Sequence, residues 1–164
     1  MSRILTLSEA VAFRQSVHDA GGALVLTNGH FDLLHVGHLD YLEKARALGD
    51  ALLVAVNGDA STTRLKGAGR PLVPAHERAR LLAALAPVSG VLIFEADTAI
   101  AVVETLRPDI YVKGGDYAPV PGADAKPLPE RAPVEAYGGR VVLIDYLPGH
   151  STSELIRRVR ALPE

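Results

Sequence analysis

A chain of 164 residues, 48% hydrophobic and 22% charged, has the size and polarity of a globular protein with one real core. A formal net charge of −2 leaves no basic footprint for nucleic acid, no apolar run approaches the ~20 residues of a membrane span, and Met1-Ser2-Arg3-Ile4 does not open like a secretory leader. The absence of cysteine excludes disulfides, zinc–thiolate sites and cysteine nucleophiles, so the expectation is a cytoplasmic enzyme.

In chain order, Ser8 to Ala20 reads as a helix stopped by Gly21-Gly22, after which strand and helix signals alternate. Strands are expected at 23–27, 51–57, 91–94, 110–113 and 141–145, and helices at 37–48, 74–86, 98–106 and 152–161. Short apolar strands between amphipathic helices predict an α/β fold: a doubly wound parallel sheet of about five strands, order 3-2-1-4-5, covered on both faces. In such a sheet a ligand sits outside the strand C-termini at the topological switch, here beside the first strand. The stretch 114–139 breaks the rhythm with Pro119, Pro121, Pro127, Pro129 and Pro133. Its centre, 117–138, reads as a loop serving either as a lid, binding loop or oligomer contact, or as plain surface linker. No repeat or second domain is visible, so 1–164 reads as one domain with an N-terminal helical segment at 1–22.

The first strand-to-helix junction carries Thr27-Asn28-Gly29-His30-Phe31-Asp32-Leu33-Leu34-His35-Val36-Gly37-His38. His35 and His38, at i and i+3, share a helix face and can aim both imidazoles at one spot. That spot lies where a helix N-terminus presents unpaired N–H groups and partial positive charge, which suits a polyphosphate. Gly37, without a side chain, allows close approach to the backbone. A second junction, Gly149-His150-Ser151-Thr152-Ser153-Glu154, reads as a Ser151–Glu154 capping box and offers three consecutive hydroxyls to a triphosphate.

Val112-Lys113-Gly114-Gly115-Asp116-Tyr117 follows a strand at the switch and is a candidate wall for base and ribose. Asn57-Gly58-Asp59, Arg64-Leu65-Lys66-Gly67 and Arg70-Pro71 read as a basic loop, either merely solvated or holding a phosphate through Lys66 and Arg70. Arg78 is a further candidate for triphosphate contact, whereas Lys44 and Arg46 read as ordinary surface charges.

The order TNGHFDLLHVGH, LGDALLVAVNGDAS, RLKGAGRPL, HERARLLAAL, RPDIYVKGGDY and GHSTSELI, spanning Thr27 to Ile156, resembles the HxGH nucleotidyltransferases. Within them it is most similar to the D-glycero-β-D-manno-heptose 1-phosphate adenylyltransferase branch, the adenylyltransferase module of ADP-heptose synthase in stand-alone form. The resemblance implies a Rossmann-like nucleotidyltransferase fold, a homodimer or higher homo-oligomer, and transfer of AMP from ATP to a sugar 1-phosphate with release of pyrophosphate. Mg2+ is implied as well, held mainly by phosphates and by no protein ligand.

Carried over residue by residue, the resemblance makes His35 and His38 catalytic, stabilising the pentacovalent transition state at the α-phosphate. It assigns Asn28, Gly29, Phe31, Lys113, Gly114, Asp116, Ser151 and Thr152 to the nucleotide, and the local readings of Gly37 and Arg78 add these two to the same side. The acceptor side receives Asp32, Asn57, Asp59 and Lys66, joined by Arg70 from its place in the basic loop, with the outgoing pyrophosphate as the alternative partner of Lys66 and Arg70. The chain departs from the family at His30, where a small or apolar residue, often Cys, is usual, and in its longer, proline-loaded segment after Tyr117. His150 stands at a position expected to vary.

The nearest rival is glycerol-3-phosphate cytidylyltransferase, whose last motif carries an Arg five residues before its serine–threonine run. Here Tyr146-Leu147-Pro148-Gly149-His150 has none. Chain length and the lack of a KMSKS-like segment argue against an aminoacyl-tRNA synthetase with its related HIGH motif. A non-catalytic nucleotide-binding regulator would be expected to have lost one of the paired histidines.

Overall fold

The expected alternation is realised as parallel strands in the computed structural model, which describes residues 4–116 and 126–163. The strands are β1 (Ile4–Leu5), β2 (Leu24–Gly29), β3 (Ala51–Asn57), β4 (Gly90–Phe94), β5 (Ile110–Gly114) and β6 (Arg140–Ile144). The helices are α1 (Leu7–Asp19), α2 (Val36–Arg46), α3 (Asp59–Lys66), α4 (Ala75–Ala83), α5 (Ile100–Leu106), α6 (Arg131–Ala136) and α7 (Thr152–Arg160).

The sheet order is β1-β4-β3-β2-β5-β6. Without β1 this is the expected doubly wound order, with β2 as its first strand. β1 is the correction: two residues, Ile4 and Leu5, pair with Val91 and Leu92 of β4 and add a sixth strand at the edge. A two-residue strand is too short to show a period of two.

β3 reads as a continuous apolar run because it is buried on both faces at every position. Leu52, Val54 and Val56 meet Tyr41, Leu42 and Ala45 of α2 and Ala79 and Leu82 of α4 in one core. Leu53 and Ala55 meet Val102, Val103 and Leu106 of α5 and Val134 of α6 in the other. The two cores make three layers, and β2 to β6 each supply both by simple alternation.

Two helices fall where loops were expected. α3 occupies the basic stretch after Asn57; its Asp-Ala-Ser-Thr-Thr opening has poor helix propensity and no apolar stripe, but Ser61 and Thr62 are fully buried. α6 lies inside the Pro-rich stretch, with Pro133 in its first turn, where a missing N–H costs nothing, and Val134 buried. The rest of that stretch includes 117–125, with Tyr117, outside the described residues. Among the described residues no helix is long and apolar enough to cross a membrane.

Candidate active site

β2 and β5 are neighbours at the point where the sheet's winding reverses, and their C-terminal ends open a cavity of about 750 Å³. Asn28 and Gly29 end β2; Lys113 and Gly114 end β5. The two ends are tied together: Lys113 Nζ donates to Asn28 O (3.1 Å) and Oδ1 (3.2 Å), and the Tyr111 hydroxyl donates to Asn28 Oδ1. Burial pushes the Lys113 ammonium down to about 8, against the opposing pull of Glu130 and Asp116. An anion in the cavity would reverse that.

From Gly29 the chain reaches α2 through two non-glycine residues in the left-handed region, Phe31 (φ 50°) and Leu33 (φ 51°). Such conformations persist only where surrounding packing overdetermines them, and they concentrate at functional sites. Here Phe31 is buried, with its ring 5.5 Å from that of His38. Asp32 lies between them, and its carboxylate turns towards the segment after α3. It accepts from Arg70 Nε (2.8 Å), Leu72 N (2.8 Å) and Val73 N (3.0 Å). Burial raises the Asp32 pKa, but these three donors and the Arg70 charge hold it below the usual carboxylate range.

His35 is the N-cap of α2, and the backbone locks both imidazoles. Gly37 N donates to His35 Nδ1 (3.1 Å), and His35 N donates to His38 Nδ1 (3.3 Å). With each Nδ1 accepting, a neutral ring must carry its hydrogen on Nε2. The rings lie 4.0 Å apart and present that N–H as a donor. Burial, then the neighbouring imidazole, lowers the His38 pKa to about 4; burial and His150 lower that of His35. Gly37 lines the cavity and also has a local role: a Cβ there would lie 2.9 Å from His35 Cε1 and 2.9 Å from His150 Cβ.

The N-terminus of α7 forms the facing wall. Ser151 Oγ accepts from Glu154 N (3.1 Å), but the Glu154 carboxylate bonds Arg157, so only half of the expected capping box forms. Thr152 Oγ1 donates to Asp32 O (2.9 Å) and pins α7 to the α2 approach. On the β5 side, Asp116 accepts from Tyr146 Oη (2.9 Å) and from Lys126 Nζ. Burial raises the Asp116 pKa, and these bonds bring it below its ordinary value. Gly114 admits the tyrosine, since a Cβ there would lie 1.9 Å from Tyr146 Oη. Lys66 and Arg70 line the remaining side; burial and neighbouring cations lower the Lys66 pKa.

Most sequence-predicted residues thus face one cavity. Three do not. Arg78 is fully buried behind it, donating to Val73 O (2.7 Å), Asn57 O (2.9 Å), His30 O and Asp59 Oδ1 (2.8 Å). Asn57 donates towards Ser61 Oγ and Ala96 O, and Asp59 also accepts from Ala75 N. These side chains brace the wall that carries His30, Lys66 and Arg70. The polar cavity residues to which sequence reasoning attached no role include His30, Lys126, Tyr146 and His150. His30 was marked by its departure from family pattern; Lys126 hid in the Pro-rich stretch, and no local pattern marks Tyr146.

Among the described residues no group of three or more His, Cys, Asp or Glu is placed to hold a metal. The cavity carboxylates Asp32, Asp116 and Glu154 are each bonded to a cation. A divalent ion carried on substrate phosphate oxygens fits this wall; an all-protein cage does not.

The Cytidylyltransferase-like family model matches residues 26–158. The bifunctional protein HldE of Syntrophotalea carbinolica is 48% identical over 164 residues, covering 94% of this chain and 32% of its own length. That of Citrifermentans bemidjiense is 52% identical over 142 residues, covering 87% and 28%. The chain therefore spans about a third of the length of these curated relatives. Among solved structures, the lipopolysaccharide core biosynthesis protein from Thermoplasma volcanium GSS1 superposes with a TM-score of 0.60 at 28% identity, covering 77% of this chain and 98% of that one.

Proposed function

The chain belongs to the cytidylyltransferase-like family, and we propose that it transfers AMP from ATP to a sugar 1-phosphate, D-glycero-β-D-manno-heptose 1-phosphate, giving ADP-heptose and pyrophosphate. The observation that carries the transfer chemistry is the locked imidazole pair: two Nε2–H donors, 4.0 Å apart between ring centroids, at the helix N-terminus that opens the cavity. The heptose acceptor is supported by likeness to the HldE proteins, whose nucleotidyl-transfer portion this chain would represent. With walls drawn from both ends of the sequence, the cavity supports one domain over 1–164. A cytoplasmic location and a homodimer belong to the same proposal.

In this reading an oxygen of the acceptor phosphate attacks the α-phosphorus of ATP, and the bond to the β-phosphate oxygen breaks. No covalent enzyme intermediate forms, because the acceptor phosphate is already a competent nucleophile; catalysis is positioning and charge stabilisation. His35 and His38 donate to the oxygens that gain charge. Their Nδ1 atoms are satisfied beforehand, so the donors need no reorganisation during the step. The N-terminus of α7, with Ser151 and Thr152, receives the β- and γ-phosphates that leave as pyrophosphate. Asn28, Gly29, Lys113, Gly114 and Asp116 form the nucleotide wall. Lys66 and Arg70 hold the acceptor phosphate, with Asp32 presenting Arg70. Mg2+, bound on phosphate oxygens, would supply further charge neutralisation.

The test is pyrophosphate release with each NTP crossed against heptose 1-phosphate and glycerol 3-phosphate. Release with ATP and the heptose is expected; release confined to CTP and glycerol 3-phosphate would transfer the chain to the cytidylyltransferase rival.

A further inference from the structure

The mechanism above leaves His30 without a role, although it lines the same cavity as His35 and His38 and is half-buried. Its Nδ1 lies 2.9 Å from Oγ1 of Thr62, a fully buried residue of α3. That hydroxyl also lies 3.4 Å from the Asn57 carbonyl oxygen, which can only accept. Once the hydroxyl proton goes to the carbonyl, Thr62 Oγ1 meets His30 with a lone pair. His30 Nδ1 then carries the ring's hydrogen, and Nε2 is bare.

The surrounding charge favours the same tautomer. Burial, together with Lys66, Arg78, Lys113 and Arg70, keeps this imidazole neutral, with its pKa lowered to about 4. With these cations around the ring, a bare Nε2 is favoured over an Nε2–H. The alternative, in which Thr62 donates to Nδ1, leaves the Asn57 carbonyl to Arg78 alone and puts the ring N–H on Nε2, among these cationic side chains. The cavity therefore holds imidazoles of opposite polarity: His35 and His38 donate, and His30 accepts.

A bare nitrogen repels phosphate oxygen, so its natural partner is a hydroxyl. In the mechanism above the ribose hydroxyls of ATP belong to the Lys113–Asp116 wall, and the acceptor is held by Lys66 and Arg70, which line the same cavity as His30 and whose charges reach it. We propose that His30 is a specificity-determining residue whose Nε2 accepts a hydrogen bond from a hydroxyl of the acceptor sugar, a role that rests on the adenylyl-transfer reading above. Thr62 is the positioning residue that sets its tautomer.

Two measurements test this. In long-range ¹H–¹⁵N spectra of ligand-free protein at neutral pH, His30 should be protonated at Nδ1, while His35 and His38 are protonated at Nε2. A His30 protonated at Nε2, or at both nitrogens, overturns the proposal without reference to activity. In steady-state kinetics, His30→Phe should raise KM for the sugar phosphate about tenfold, the effect of one lost hydrogen bond, and leave KM for ATP within about twofold. His30→Gln, whose carbonyl oxygen can reach the place of Nε2, should recover most of that loss. Among acceptors lacking single hydroxyls, one should lose about tenfold in kcat/KM with the unaltered protein and nothing further with His30→Phe.

If the unaltered protein turns over but His30→Phe matches it in acceptor KM and in every deoxy penalty, the role of His30 falls and adenylyl transfer stands. If no sugar 1-phosphate supports pyrophosphate release by the unaltered protein, both fall.

Discussion

His35 and His38 are the N-cap and N3 residues of one helix, yet each is oriented by a different backbone N–H, and this makes their roles separable by mutation. In the proposed mechanism the donors serve the transition state more than the ground state, so His35→Ala or His38→Ala should lower kcat by about 10²–10³ with little change in KM for ATP. Near-normal turnover in either variant would sink the assignment. Asp32 acts through another group. Its carboxylate is spent on Arg70, Leu72 and Val73, so Asp32→Asn should raise the acceptor KM about tenfold by releasing Arg70. Added to Arg70→Ala it should do little more, since the two act as a unit; additive losses in the double variant would place Asp32 on the substrate itself. The histidine spacing was visible in the sequence because i, i+3 is a local relation. The work of Asp32 was not, since its partners lie about forty residues away.

At the scale of elements, the cavity depends on α4 reaching under α3. Arg78 leaves α4 and bonds carbonyls of β2's exit, β3's end and the segment before α4, together with Asp59 at the start of α3. Arg78→Ala would orphan those acceptors, so a stability loss of roughly 3–5 kcal/mol is expected in denaturant unfolding, with KM for ATP and acceptor rising together. A variant of unchanged stability that lost only ATP affinity would return Arg78 to the triphosphate. The basic character of residues 57–70 was legible, but its helix was not. α3 exists because Ser61 and Thr62 are buried against the end of β3, a tertiary cause that propensity and periodicity cannot register. α7 was legible from both its cap and its apolar spacing.

For the molecule as a whole, two half-buried neutral histidines couple stability to pH. The folded-state pKa values of His30 and His38 are about 4, against an ordinary value of 6.5. The unfolded chain therefore takes up protons at a pH where the folded one does not. Stability from this source is fully present above about 6.5 and is lost as pH falls towards 4. Thermal melting should show the midpoint falling across that window, and falling less in a His30→Phe, His38→Phe double variant. An unchanged slope in that variant would contradict the burial argument.

By itself the sequence determined the alternation of β2 to β6 with α2, α4, α5 and α7, the doubly wound parallel sheet and the strand–histidine–helix junction at its switch, but not β1, α3 or α6. All of these follow from relations between residues a few positions apart: alternation, helical periodicity, and a motif joining one strand to one helix. Only the tertiary structure decided which nitrogen of each histidine faces the cavity, that Arg78, Asn57 and Asp59 support the wall instead of facing the ligand, and that β1 closes the edge. Those outcomes depend on hydrogen bonds and packing between segments far apart in the chain, such as Tyr111 with Asn28 or Thr62 with His30. A donor's partner there is chosen by the fold, and local spacing carries no record of the choice.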